Sequence, residues 1–244
     1  DLQKHASRTL PFENQHNIAV LALSPKDEIL LSIDEDGQAI LVNFRREAFL
    51  SHFAFKHPVR VIKFDPSGKM FVAGVGRLLQ IWKSPPKYME FTPFRLLRTI
   101  VGHYDEITAL DWSSDSRFII SGSSDSTVRI NSIHQGFKPI TLVGHRDEIT
   151  GCFFSKKGDT LYTVSANGAV YTWIWTPNER EEEYTKEELH EIFASSTGGS
   201  WSIDNRYYLN YGYRIKVTSC VLHKENDLLV LGNSIGVFGI YSMP

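Results

Sequence analysis

"GHYDEITALDWSSDSRFIISGSSDSTVRIN" occupies Gly102 to Asn131, and "GHRDEITGCFFSKKGDTLYTVSANGAVYTW" occupies Gly144 to Trp173, 42 residues later on nearly the same skeleton. A period of that length points to a repeat architecture, in which each unit buries its apolar face on its neighbours. The two copies part company at their last residue, Asn131 against Trp173, so whatever the tryptophan does is dispensable to the unit.

Sliding the two copies along the chain finds three more. With Ile107 as the first apolar residue, Ile18, Val59, Ile149 and Val217 take the same place, at separations of 41, 48, 42 and 68 residues. Three residues on stand Leu21, Ile62, Leu110, Cys152 and Cys220, and five on stand Leu23, Phe64, Trp112, Phe154 and Leu222. Offsets three and five share one face of a strand, so these positions predict a buried face in all five copies, with both cysteines as core fillers. A second landmark follows at Val42, Trp82, Asn131, Trp173 and Tyr241. Turn signals precede it, such as "DEDG" at Asp34–Gly37, "SSDS" at Ser123–Ser126 and "ANG" at Ala166–Gly168. Each copy reads as a three-stranded meander, and intervening segments such as Phe137 to Val143 can supply a fourth strand. Four short strands per unit of this length make the blade of a β-propeller.

These residues carry a family resemblance. Gly102-His103 with Asp125, and Gly144-His145 with Trp173, resemble the Gly-His and Trp-Asp marks of WD40 repeats, in which a His, a Ser or Thr, an Asp and a Trp brace the blade through hydrogen bonds. The resemblance implies one brace of His103, Ser121 and Asp125, lacking its Trp, and another of His145, Thr163 and Trp173 with Asn167 in the Asp place. The other three copies lack the His. The fold expected is all-β, a WD40-type β-propeller of about five blades, part of a seven-bladed ring. It forms one domain over 1–244, with repeats near 14–44, 55–84, 102–133, 144–175 and 212–243 and an acidic insertion at 178–199. A closer resemblance lies within the class. "SIDEDGQAILVNF" at Ser32–Phe44, "LLQIWK" at Leu78–Lys83 and "YTVSANGAVYTW" at Tyr162–Trp173 are similar to the amino-terminal propeller of the periodic-tryptophan branch of WD40 proteins, through all five repeats and the acidic insertion.

Composition limits the remaining classes. Lys and Arg total 26 against 28 for Asp and Glu, but residues 1–100 carry 14 basic and 10 acidic side chains and residues 101–244 carry 12 and 18, so a polyanion contact would favour the first half. The longest apolar run, Ile18 to Leu23, is far short of the roughly 20 residues of a membrane helix, and no membrane contact is expected. The chain starts at Asp1 without an apolar signal core and reads as a piece of a longer protein. The first strand-like stretch, Gln3 to Phe12, reads as the outer strand of an upstream blade.

Catalytic and metal motifs are missing. The histidines show no ligand spacing with a third donor, and no Cys-x-x-Cys occurs. "GVGRLL" at Gly74–Leu79 opens no helix and lacks Lys-Ser or Lys-Thr, so it reads as a β-turn. The pairs Asp105-Glu106 and Asp147-Glu148 recur at one repeat position, as a solvated rim would require. Arg45, Arg46, Lys56, Arg60 and Lys63 form the candidate polyanion contact across one blade junction. Lys83, Lys87, Arg95 and Arg98 flank the next connection, and neither stretch reads as carrying interleaved aromatics for base stacking. "NEREEEYTKEELHEIF" at Asn178–Phe193 has a capping-box spacing at Thr185 and Glu188 and reads as a short helix in an acidic loop.

The expected function is therefore a non-enzymatic scaffold with no cofactor, metal or small-molecule substrate. The closer resemblance implies a nucleolar subunit of the small-subunit processome, acting in pre-rRNA processing. Its partners would be other processome proteins and the backbone of pre-rRNA or small nucleolar RNA. The alternative is a WD40 substrate receptor in another complex, such as a ubiquitin ligase; an enzyme on a propeller scaffold would need convergent polar residues at the channel mouth.

Overall fold

The computed structural model describes residues 14–26, 28–177, 199–209 and 215–243. They form five antiparallel sheets in chain order. The first holds β1 (Ile18–Leu23), β2 (Ile29–Asp34), β3 (Gln38–Asn43) and β4 (Ala48–Ala54); the second holds β5 (Val59–Phe64), β6 (Met70–Val75), β7 (Leu78–Lys83) and β8 (Arg95–Ile100). The third holds β9 (Ile107–Trp112), β10 (Phe118–Ser123), β11 (Val128–Ser132) and β12 (Ile140–Leu142). The fourth holds β13 (Ile149–Phe154), β14 (Thr160–Ser165), β15 (Ala169–Pro177) and β16 (Gly199–Tyr208), and the fifth β17 (Val217–His223), β18 (Leu228–Asn233) and β19 (Phe238–Ser242). Gln3–Phe12 and the helix reading for Asn178–Phe193 lie outside the described residues. Pro177 and Gly199 pair across β15 and β16.

Hairpin chemistry sets each blade. Gly168 sits at φ 84° in the β14–β15 turn, and a Cβ there would lie 2.7 Å from the Leu209 carbonyl oxygen, so only glycine fits. Its counterpart Ser126 takes φ 62°, held in place by the Asp125 side chain beside it.

The innermost strands pack in order, β1 on β5, β5 on β9, β9 on β13 and β13 on β17, around a central channel. Each interface has its own apolar cluster. Leu31 and Leu41 of the first blade meet Phe64, Phe71 and Trp82 of the second; Val72, Leu79 and Ile81 meet Leu110 and Trp112 of the third. Ile120, Val128 and Ile130 meet Cys152, Phe154 and Leu161; Tyr162 and Val164 meet Leu222, Leu229 and Leu231. Gly122 makes the third interface close: a Cβ there would stand 2.4 Å from Ile149 Cγ2.

One expectation fails here. Leu21 and Leu23 do not lie on a buried face; they are 60% and 41% exposed, and the buried side of β1 is Ala22, with half-buried Val20 beside it. Offsets three and five face the preceding blade, and among the described residues no blade precedes β1. The opposite end matches, where Phe238 of β19 is 69% exposed. The cysteines are free, Cys152 buried and Cys220 half-buried, and burial pushes both thiols up, that of Cys220 to about 12.

Candidate functional site

Because successive strands alternate in direction, turns fall on two opposite rims. The β2–β3, β6–β7, β10–β11, β14–β15 and β18–β19 turns share one rim, the upper, and the β1–β2, β3–β4, β5–β6 and β13–β14 turns share the lower rim.

The braces stand at the upper rim. In the third blade His103 Nε2 lies 2.9 Å from Ser121 Oγ and Nδ1 lies 3.2 Å from Asp125 Oδ2. Asp125 also accepts from the Tyr104 and Thr127 N–H groups and from the Thr127 hydroxyl. Burial raises the Asp125 carboxyl, but these hydrogen bonds outweigh it and hold the group below the usual carboxylate range. Burial lowers His103, against the pull of Asp125.

In the fourth blade one proton order satisfies every group. Trp173 Nε1–H donates to Thr163 Oγ1 at 2.9 Å; the Thr163 hydroxyl donates to His145 Nε2 at 2.7 Å. His145 Nδ1–H then donates to Ser165 Oγ at 2.9 Å, whose hydroxyl donates to Asn167 Oδ1 at 2.7 Å. The chain holds only with a neutral imidazole, and burial lowers His145 to about 4. Ser165 links histidine to Asn167 and is the member that the repeat comparison missed.

The remaining blades fill the same slots differently. Asn14 stands four residues before Ile18, as His103 stands before Ile107, and its Oδ1 accepts from Ser32 Oγ at 2.7 Å. An amide thus replaces the imidazole in the first blade. In the second, Phe55 takes the His place and meets Trp82 edge-on at 5.7 Å, while Ala73 takes the Ser/Thr place. Trp82 Nε1 is consequently buried without an acceptor. The fifth has Leu231 and Tyr241 in the corresponding places.

The channel mouth at the upper rim is a cavity of ≈ 750 Å³ whose charged lining is Glu35, Arg60, Glu106, Glu148 and Lys216. Its cations are committed: Arg60 Nε lies 2.5 Å from Glu106, and Lys216 Nζ lies within 4.0 Å of Asp147 and Glu148. The mouth's Thr108, Thr150 and Thr218 hydroxyls donate to backbone carbonyls, and among the described residues no three His, Cys, Asp or Glu side chains could hold a metal.

The lower rim has a buried ionic node. Asp111 Oδ2 accepts from the Phe154 N–H at 3.0 Å and from Lys224 Nζ at 2.6 Å, and Lys63 Nζ lies 3.9 Å from Oδ1. Lys224 also donates to the Trp112 carbonyl, and Trp112 Nε1 donates to the Lys63 carbonyl. Four blades thereby share one carboxylate. Repeat alignment could not reveal it, because the lysine comes from a turn two blades away.

The five residues read as one basic group are divided. Lys56 and Arg60 belong to the upper rim, with Arg60 paired to Glu106, whereas Arg45, Arg46 and Lys63 belong to the lower rim. Adjacency along a chain that reverses every six residues puts neighbours on opposite ends. The expected lack of aromatics is also corrected: the β7–β8 connection presents Tyr88, Met89 and Phe91 to solvent, with Phe91 fully exposed.

The WD domain, G-beta repeat family model matches residues 94–131 and 137–173. The periodic tryptophan protein 2 homologue of Schizosaccharomyces pombe is 42% identical over 100% of this chain and 29% of its own length; that of Saccharomyces cerevisiae is 38% identical over 100% and 27%. The chain belongs to the WD40-repeat proteins, among the homologues of periodic tryptophan protein 2. The mouse homologue is 31% identical over 100% of this chain and 30% of its own length, so this WD40 segment spans less than a third of the relatives it matches. The solved structure of U3-55K superposes with a TM-score of 0.71 at 19% identity, covering 96% of this chain and 63% of that one, which establishes the WD40 propeller fold. In this WD40 segment the braces of the third and fourth blades tie the rim turns of each blade to its strands.

Proposed function

We propose that this propeller segment is a scaffold in ribosome biogenesis, working in the nucleolus in assembly of the small-subunit processome and processing of pre-rRNA. The observation that carries the reading is whole-chain similarity to periodic tryptophan protein 2 at 38–42% identity in fungi, which includes the blades whose braces depart from the repeat consensus. Structure supports a scaffold in physical terms. Both cations of the upper mouth are paired, and four of the blades are locked to one another by the Asp111 node. Other processome proteins are the partners on this reading, with pre-rRNA or small nucleolar RNA contacted through its backbone.

Affinity purification of the intact protein from nuclear extract tests it. Recovery of processome proteins with pre-rRNA is expected. Recovery of a ubiquitin-ligase core instead, with no ribosomal precursor, would overturn the assignment and favour a substrate receptor.

A further inference from the structure

We infer that a groove on the lower rim, between the first and second blades, is a binding site for single-stranded RNA. The groove measures ≈ 420 Å³ and has Lys26, Lys69, Lys83 and Lys87 on its walls, with Pro85, Pro86 and Tyr88 between them. Three connections from two blades converge to make it: the β1–β2 turn, the β5–β6 turn and the β7–β8 connection. Ser84 N–H donates to the Lys69 carbonyl at 2.8 Å, joining the β5–β6 turn to the β7–β8 connection. Asn43 Nδ2 donates to the Lys87 carbonyl at 2.8 Å, joining that connection to the first blade. Ser24 Oγ accepts from the Glu28 and Ile29 N–H groups and shapes the third wall. The walls are held by these hydrogen bonds, so binding has to order the lysine side chains but not the turns that carry them.

The charge is available. Lys87 Nζ pairs with Glu28 at 3.0 Å, and that bond holds the Glu28 carboxyl below its ordinary value. Lys26, Lys69 and Lys83 have no carboxylate within 4.0 Å among the described residues; Asp27 lies outside them. The channel mouth differs, since its Arg60 and Lys216 are already paired and Glu35, Glu106 and Glu148 line it. A polyanion is therefore directed to the lower rim.

Residue types select among polyanions. Lysines on flexible stems act as point charges that suit the phosphates of a mobile strand. Point charges suit phosphate and carboxylate alike, and the Arg45 fork is bonded to the Lys26 carbonyl at 3.1 Å, so the choice of RNA rests on the exposed rings. Tyr88 is 65% exposed at the groove wall, and Phe91, three residues on, is fully exposed. Accessible rings beside lysines fit unstacked bases, whereas a duplex hides its base faces. The processome reading supplies only the source of the RNA; the groove stands on its own geometry.

The test uses the intact protein and a fluorescein-labelled oligouridine of about 12 nucleotides, titrated by anisotropy between about 50 and 200 mM salt. K26E/K69E/K83E, with K26Q/K69Q/K83Q as the milder variant and melting curves as the check on folding, should bind at least about tenfold more weakly, and the log affinity against log salt slope should become shallower by about 2, at about 0.7 per lost phosphate contact. Y88A should weaken binding about fivefold or more with the slope unchanged, because stacking releases no counterions. Unchanged affinity and slope in both triple variants would overturn the site. So would a labelled polyglutamate peptide that binds the wild type more tightly than the RNA and is lost in the triple variants, which would make the groove an acidic-protein contact. Co-purification separates this from the wider assignment: a triple variant that loses oligouridine but keeps processome proteins supports the groove, and a wild type that binds oligouridine as stated but recovers no processome proteins defeats only the functional reading.

Discussion

Lowering the pH should loosen the fourth blade through His145. In the folded chain the ring is neutral, accepting from Thr163 Oγ1 and donating to Ser165 Oγ. A second proton on Nε2 would face a hydroxyl that already accepts from Trp173 Nε1, so the Thr163 hydroxyl hydrogen would lose its acceptor. The folded-state pKa, about 4, is lower than the ordinary 6.5, so the unfolded chain binds the proton first and stability falls as pH drops through that interval. The full difference, at about 1.4 kcal/mol per pH unit, is worth about 3 kcal/mol, of which about 2 kcal/mol is lost by pH 5. Urea unfolding at pH 7 and pH 5 would show the loss, and one-dimensional titration of the His145 ring protons would give the pKa directly. His103 is lowered as well and adds with the same sign, opposed by Asp125. His145→Gln should remove most of the pH dependence, and the double variant with His103→Gln should remove what remains. If stability is flat between pH 7 and 5, or if His145→Gln falls as steeply as the wild type, the neutral relay is wrong.

Ala73→Ser places a hydroxyl in the slot whose partner, Trp82 Nε1, is buried without an acceptor, and should stabilise by about 0.5–1.5 kcal/mol in urea unfolding; a loss would mean that Phe55 leaves no room for the oxygen. Asp125→Ala strands the Tyr104 and Thr127 donors and should cost about 1–3 kcal/mol, whereas an unchanged midpoint would remove the brace from the third blade. Lys224→Met should leave Asp111 with the Phe154 N–H and a distant Lys63, costing about 1–3 kcal/mol after allowance for the part-exposed lysine; recovery in the double variant with Asp111→Asn would show that the uncompensated carboxylate is the cause.

Five blades were legible before any coordinates because what marks a blade is local. Apolar alternation, a turn residue able to take positive φ and a fixed spacing between them are written along one strand or one hairpin, and Ile107 to Trp112 or Ile149 to Phe154 display them whichever neighbours surround them. Both polar braces were implied by the WD40 resemblance, whose marks fall on His103, Ser121 and Asp125 and, in register, on His145, Thr163 and Asn167. Exposure of Leu21 and Leu23 was not, because burial of a strand face depends on whether another blade lies against it, and the strand pattern is identical either way. Nor were the substitutions in the brace: an amide at Asn14 matches an imidazole only once its oxygen is seen on Ser32. Charge position was least legible of all. Arg45 and Arg46 are near neighbours of Lys56 and Arg60 in sequence, yet a strand of six or seven residues carries them to opposite rims, while Lys26, Lys69 and Lys83, scattered through two repeats, come to one groove. The Asp111 node shows the same rule at longer range, as its strongest partner, Lys224, is 113 residues away. Periodicity records which residues make a blade. Where blades meet, and therefore which charges face a common ligand, follows from packing between sheets, which distances along the chain do not encode.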